Sequence, residues 1–467
     1  MPSIDWTHDY KPLPKTPDEA FDAEGTARSA YEPVLRALAR SDPAALAESV
    51  RERVRRDGVV FDGGPFVLDP IPRLIEAAEW ERIESGLIQR ARALDAFVRD
   101  AYGDLQIFTA GIVPERVLRG PPTYEPRALE FPQRPRVHII GFDLARRADG
   151  EMVVLEDNLG TPSGAAYVVA ARDAVCEALD CGELEPLPVG HVPELLAETV
   201  RAAAPEGVEE PRIVVASDGK SSTAWWEHRV LAAALGGSAV TLDRLETADR
   251  RLWLRGERGR RGAVDVLYRR TDDPRLTETD GSLTALGELT LEPLRAGTLG
   301  IVNSFGAVVG DDKLSYVYSE EMVRFYLDEE PLLRTIPTYD PCIPEQRDEA
   351  LERLDELVVK PRFESGGEGV LIVGEADPPE TREAADEIRR NPEEFVAQER
   401  ISLSTLPCLN GDRLEPRRID LRPFAYATAE GFRIVPGGLT RFAPDPESMI
   451  VNSSQGGGAK DTWVMSG

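Results

Sequence analysis

Two apolar runs, HIIGFDLA and MVVLEDN, flank the dipeptide Asp149-Gly150. That dipeptide between β-rich segments is a strong local signal for a hairpin, and it restricts the fold of residues 136–158 more tightly than any other feature of the chain. The second strand delivers Glu156 and Asn158, and a strand projects residues i and i+2 from one face. An acid and an amide side by side suit a hard cation with oxygen ligands. A Gly/Pro/Ser turn, NLGTPSG, follows at once. Every stretch able to approach a phosphate lies at least 55 residues further on.

At 467 residues the chain exceeds what one compact core accommodates, so two or more subdomains are expected. Its 42% apolar and 30% charged residues describe an ordinary globular protein. No apolar run approaches the ~18 residues that a membrane span needs, and the N-terminus MPSIDWTHDYKPLPK has no signal-like apolar region. The expected compartment is therefore the cytoplasm, with no membrane partner. The four cysteines, Cys176, Cys181, Cys342 and Cys408, form no C-x-x-C pair, which argues against a disulfide framework and a cysteine-built zinc site. The four histidines are well separated. A formal charge of −28 excludes general nucleic-acid binding. A nucleotide ligand on such a background requires a local cluster of Lys and Arg plus a cation.

Residues 1–115 read as a mostly helical region, with apolar residues at three-to-four spacing behind starts such as Thr26 and Asp42. Residues 116–190 carry the hairpin. Within 191–285, the strands RIVVAS, SAVTL and VDVLYRR alternate with the helix WWEHRVLAAALG, the pattern of a small parallel α/β unit. Tyr268, Arg269 and Arg270 end a strand of that unit, where ligands tend to bind. Residues 286–467 mix helices and strands.

Three stretches are candidates for phosphate contact. In IVVASDGKSS a Walker loop would need a glycine where Val214 stands, so a strand-end turn is expected. NSSQGGGAKDTW offers three glycines and Lys460. In LVVKPRFESGGEGVLIV a strand ends in Lys360, and the loop Glu364, Ser365, Gly366, Gly367, Gly369 precedes a returning strand. A loop of this kind can fold over phosphates while the lysine reaches them from the sheet. Nearby, FVAQERI sets Gln398 and Glu399 between apolar residues, where the carboxylate suits a ribose hydroxyl. NSFGAVVGDDKLSYVY puts Lys313 at a helix start, and RRIDLRPF alternates Arg418, Asp420 and Arg422 on one strand face.

Taken together these residues resemble an ATP-grasp ligase, in which two lobes clamp ATP. The order is rotated, with the metal hairpin preceding the nucleotide-binding lobes. That order, with FDAEG, LDPIPRLIEAAEW, VDVLYRRTDD, ELVVKP, DLRPF, VPGGLTR and NSSQGGGAKDTW, resembles the circularly permuted type 2 ATP-grasp family, whose nearest characterised chemistry is that of glutathionylspermidine-synthetase-like ligases. The resemblance implies an α+β / α/β chain: a circularly permuted ATP-grasp fold with a helical N-terminal region and a small parallel pre-ATP-grasp-like unit. It further implies Asp143, Glu156 and Asn158 as ligands of Mg²⁺ (Mn²⁺ as a substitute), and Lys313, Lys360, the Glu364–Gly369 loop, Gln398 and Glu399 around ATP. Arg418, Arg422 and Lys460 are the implied catalytic cations. The chain departs from the family's usual pattern at Gly141, Gly160 and Phe363.

The implied activity is ATP-dependent ligation of a carboxylate to an amine through an acylphosphate, on small-molecule or peptide substrates. Two other readings stand beside it: a catalytically weak ATP-binding module that acts with a partner protein encoded nearby, and an ATP-grasp phosphotransferase.

Overall fold

The computed structural model describes residues 9–119, 123–179, 181, 184–256, 261–271, 273, 275–363, 370–375, 378–449, 451 and 456–466. Its centre is a large mixed sheet, ten-stranded among the described residues. Along its main path the order is Arg334–Thr335, Met152–Asn158, Ile139–Arg146, Arg413–Arg422, Leu439–Phe442, Gly458–Val464 and Leu68–Ile75. The predicted hairpin is present. Its strands pair antiparallel, Arg147 N donates to Glu151 O at 2.8 Å and Gly150 N donates to Arg147 O at 2.9 Å, closing the turn at Asp149-Gly150.

The mostly helical reading of residues 1–115 holds for Pro43–Arg56 and for the long helix Ala77–Ala101. Asp42 caps the first by accepting from Ala45 N at 2.8 Å, and Pro43 opens it. It misses Leu68–Ile75, which is a fully buried strand parallel to Gly458–Val464. That run, LDPIPRLI, shows no period of two because both its faces are covered. Its two prolines are tolerated because the strand ends the sheet.

The predicted parallel unit is a second sheet, ordered Gly300–Val302, Val266–Arg270, Ile213–Ser217 and Ser238–Val240, all parallel. A third, antiparallel sheet orders Thr338–Tyr339, Phe395–Glu399, Leu357–Pro361 and Leu371–Ile372. It carries its own small core of Leu354, Val359, Val373 and Ile388, whereas the rest of the chain is built on two large apolar clusters.

One expectation fails. Cys176 and Cys181 form a disulfide across the end of helix Ala165–Leu179, while Cys342 and Cys408 are free. The C-x-x-C test overlooks this pair because the two cysteines stand five positions apart, and at the helix end their Cα atoms are still only 4.8 Å apart. Among the described residues no helix is long and apolar enough to cross a membrane.

Candidate functional site

The hairpin register sets Asp143 directly opposite Glu156 and Gly141 opposite Asn158, with an irregularity just after Asp143. Asn158 Nδ2 donates to Gly141 O at 3.1 Å, which fixes the amide and leaves its Oδ1 to other partners. The Glu156 side chain is 38% exposed, with Lys313 Nζ 3.9 Å from its Oε1. Asp143 is more tightly engaged. Arg422 donates through Nε and Nη2 at 2.6 and 2.7 Å, and Arg441 adds an ion pair at 2.9 Å while also gripping Asp420. Burial opposes ionisation of Asp143, but the two guanidiniums win and hold its carboxyl well below the usual carboxylate range. Gly141 makes room for this arrangement: a Cβ there would stand 2.8 Å from Pro162 Cβ and 3.6 Å from Arg422 Cδ.

The third sheet faces this hairpin. Lys360, near the end of Leu357–Pro361, donates from Nζ to Gln398 Oε1 on the neighbouring strand at 2.6 Å, and Gln398 Nε2 donates to Thr338 Oγ1 at 3.1 Å. Burial pushes the Lys360 ammonium's pKa down, with Lys313 adding to the fall and Glu156 and Asp143 opposing it. Glu156, Asp311, Lys313, Tyr316, Lys360 and Gln398 thus line one cleft, despite their wide separation in sequence. Its cavity is about 10 Å³, far below the roughly 300–1,000 Å³ of ligand pockets. Glu399 sits at the outer edge, with Arg353 Nη2 donating to it at 3.0 Å.

Buried polar clamps that sequence reasoning missed hold these elements. The Leu159-Gly160 turn is gripped from both sides. Its amides donate to Asp311, Gly160 N at 2.9 Å, and its carbonyls accept from Asn303 Nδ2 at 2.5 and 3.3 Å. Burial pushes the Asp311 carboxyl up to about 8, the two amides opposing and Glu156 and Asp157 assisting. Asp312 accepts from Leu314 N at 2.9 Å at the start of the Lys313 helix, and it pairs with buried Arg362, two residues beyond Lys360. On the face opposite Glu156, Asp157 accepts two bonds of 2.6 Å from Arg90. The adjacent acids in GDDKLS were the one visible signal for the first two clamps.

Other expected residues lie elsewhere. Arg418 donates to the carbonyls of Pro446, Glu447 and Ser448 at 2.8, 3.3 and 3.0 Å. Lys460 is not delivered by a glycine loop. It is fully buried in strand Gly458–Val464, and its Nζ donates to Asp69 Oδ1 at 2.5 Å, Pro407 O at 2.8 Å and Ile71 O at 3.1 Å. Arg269 and Arg270 are buried. Arg270 reaches the turn after the hairpin, donating to Pro162 O at 2.7 Å, to Ser163 Oγ at 2.5 Å and to Glu227 at 3.2 Å. Gly219–Ser221 is the short strand-end turn expected of it. Glu364, Ser365, Gly366, Gly367 and Gly369 lie outside the described residues.

The donor set offers oxygen only, which fits Mg²⁺. Glu156 and Asn158 project such oxygens from one strand face, while those of Asp143 are engaged by Arg422 and Arg441. Among the described residues no group of three or more His, Cys, Asp or Glu side chains is gathered to hold a metal.

A family model described as circularly permuted ATP-grasp type 2 matches residues 72–443. A Frankia casuarinae protein named "Putative glutamate--cysteine ligase 2-2" is 42% identical over 464 residues, 96% of this chain and 53% of that one. An uncharacterized Synechocystis sp. protein is 38% identical over 96% of this chain and 97% of its own length. The chain spans about half the length of the Frankia relatives that it matches. A glutathione synthetase-like effector from Globodera pallida has a similar fold, with a TM-score of 0.62 at 13% identity, covering 91% of this chain and 98% of that one.

Proposed function

The chain belongs to the circularly permuted ATP-grasp type 2 family, and on that premise we propose that it is an ATP-dependent carboxylate–amine ligase working through an acylphosphate and releasing ADP and phosphate. The observation that carries this reading is the convergence of Glu156, Lys313 and Lys360 on one cleft, although Glu156 and Lys360 stand some two hundred residues apart in the sequence. The ligase name of the Frankia relatives supports the reaction class.

A free carboxylate is a poor electrophile, and transfer of the γ-phosphoryl group activates it toward an amine. Such a transfer asks the protein for positioning and charge neutralisation. Lys313 and Lys360 carry the phosphates from two sides of the cleft. Gln398 orients Lys360, and Glu399 accepts a ribose hydroxyl. Arg422, which turns from Asp143 toward the γ-phosphoryl, neutralises the charge that develops there. Glu156 and Asn158, with Asp143 after release, would hold magnesium, which neutralises phosphate charge when bound. Burial of the cleft excludes the water that would destroy an acylphosphate.

The substrates are a small-molecule or peptide carboxylate and an amine. Incubating the protein with ATP, Mg²⁺ and pooled carboxylates and amines, with ADP and phosphate followed, tests this. Phosphate release that requires both an acid and an amine, with a new amide in the mass spectrum, is the expected result. A stable phosphorylated product identifies a phosphotransferase instead, and no turnover with intact ATP binding identifies a nucleotide-binding module.

A further inference from the structure

One cavity lies outside the nucleotide cleft and shares no lining residue with it. It measures about 300 Å³, within the range of pockets that hold small organic ligands. It opens beside the edge strand Gly300–Val302 of the parallel sheet, beneath the segment 131–138 that leads into the metal hairpin. Its base is apolar, built from Leu294, Leu299, Ile301 and Phe305. Its mouth carries two exposed arginines, Arg134 and Arg136. His138, which also lines it, is 6% exposed, and its buried Nδ1 has no hydrogen-bond partner.

A buried polar atom without a partner is costly, and here it borders a space large enough to supply one. Burial, reinforced by the nearby guanidiniums of Arg136, Arg269 and Arg99, holds the imidazole's pKa down at about 3. The ring is therefore neutral at physiological pH and leaves a positive neighbourhood on a chain of net charge −28. Apolar walls below and cations above select an amphipathic anion over inorganic phosphate, which would gain nothing from the base.

We propose that this cavity is a second small-molecule site that binds an organic acid, with its apolar body against Leu299, Ile301 and Phe305, its carboxylate at the mouth with Arg134 and Arg136, and a polar atom meeting His138 Nδ1. The site adjoins the catalytic hairpin through Asn303. The Asn303 Oδ1 accepts from His138 N and Ile139 N at 3.0 and 2.8 Å, while its Nδ2 holds the Leu159-Gly160 turn.

Hippurate, an aromatic ring with a single carboxylate, serves as the probe. Calorimetry on the full chain, with and without ATP, is paired with hydrogen exchange. Hippurate binds with one-to-one stoichiometry and protects residues 131–138, and its neutral amide binds at least tenfold more weakly. The Arg134→Gln/Arg136→Gln variant loses at least tenfold in affinity. Ala202→Trp, a change at an exposed rim position, abolishes binding without disturbing the core, and Glu156→Ala retains it. Absence of heat at millimolar hippurate overturns the proposal. So does equal affinity for acid and amide, or binding undiminished in Ala202→Trp. None of these readouts depends on ATP turnover, so failure here is distinct from failure of the ligase reading.

Discussion

Removing the Arg362 guanidinium tests how the two lysine-bearing elements are held together. Arg362 Nε lies 2.7 and 2.9 Å from the two Asp312 oxygens, and Nη2 adds a further bond. The side chains are 6% and 0% exposed. Asp312 begins the helix whose first residue is Lys313, and Arg362 follows Lys360 by two residues, so this single pair ties both lysines to one frame. Arg362→Met is close in volume but leaves Asp312 as a buried, uncompensated charge, a change that costs about 3–5 kcal/mol. Removing both partners in Asp312→Leu/Arg362→Met spares that charge. It forfeits the helix cap, about 1 kcal/mol, and the bond from Arg362 to the Arg116 carbonyl, which the single variant loses as well, so the double variant is more stable than the single one. Urea unfolding followed by tryptophan fluorescence reads the stability, and calorimetry reads ATP affinity, which falls in the single variant because Lys313 and Lys360 lose their common anchor. An Arg362→Met protein within about 1 kcal/mol of the parent, with unchanged ATP affinity, refutes the reasoning.

Glu156→Ala is expected to abolish ATP turnover and leave the unfolding transition in place, since the carboxylate is partly exposed and its ion pair with Lys313 is long, at 3.9 Å. Full activity in that variant removes Glu156 from the site. Lys460→Met is expected to destabilise by about 3–5 kcal/mol, because it strands the buried carboxylate of Asp69, while the folded fraction keeps its turnover. An unchanged unfolding midpoint with lost turnover would instead restore Lys460 as a catalytic cation. The His138 proton affinity is depressed from 6.5 to about 3, so its contribution to stability is complete above pH 6.5 and lost as the pH falls toward 3. Denaturant unfolding at pH 7 and pH 4.5 should show a smaller loss on acidification in His138→Gln than in the parent. Equal losses would show that the ring is not held neutral.

Features legible in the sequence were those set by short-range periods and turns. The Asp149-Gly150 hairpin, Lys313 at a helix start, and Lys360 and Gln398 on adjoining strands all follow local signals. Clamps made across the fold carried no such signal. Asn303 looks like one polar residue after a short apolar strand, yet it bonds to backbone from two distant segments. Asp312 and Arg362 stand fifty residues apart, and neither has a periodic reason to find the other. Lys460 departs from the loop expected to carry it for a physical reason. Its preceding glycines suggested a loop, but Gly458 is the first residue of a buried strand, and it is glycine because the Phe442 ring leaves no space for a Cβ. Arg418 and Arg422 share a strand face, and only their surroundings separate a clamp on carbonyls from a partner of Asp143.

On the proposed reading, the hairpin and the third sheet, remote in sequence, form one nucleotide site. Calorimetric titration of ATP with Mg²⁺ into the parent and into Lys360→Ala tests it most directly. A lysine about 4 Å from a phosphate charge in a partly buried setting interacts by up to ~4 kcal/mol, and part of this is offset by desolvation. The parent is expected to bind one ATP, and the variant to lose at least ~30-fold in affinity, about 2 kcal/mol. Binding of equal strength in both proteins would contradict it.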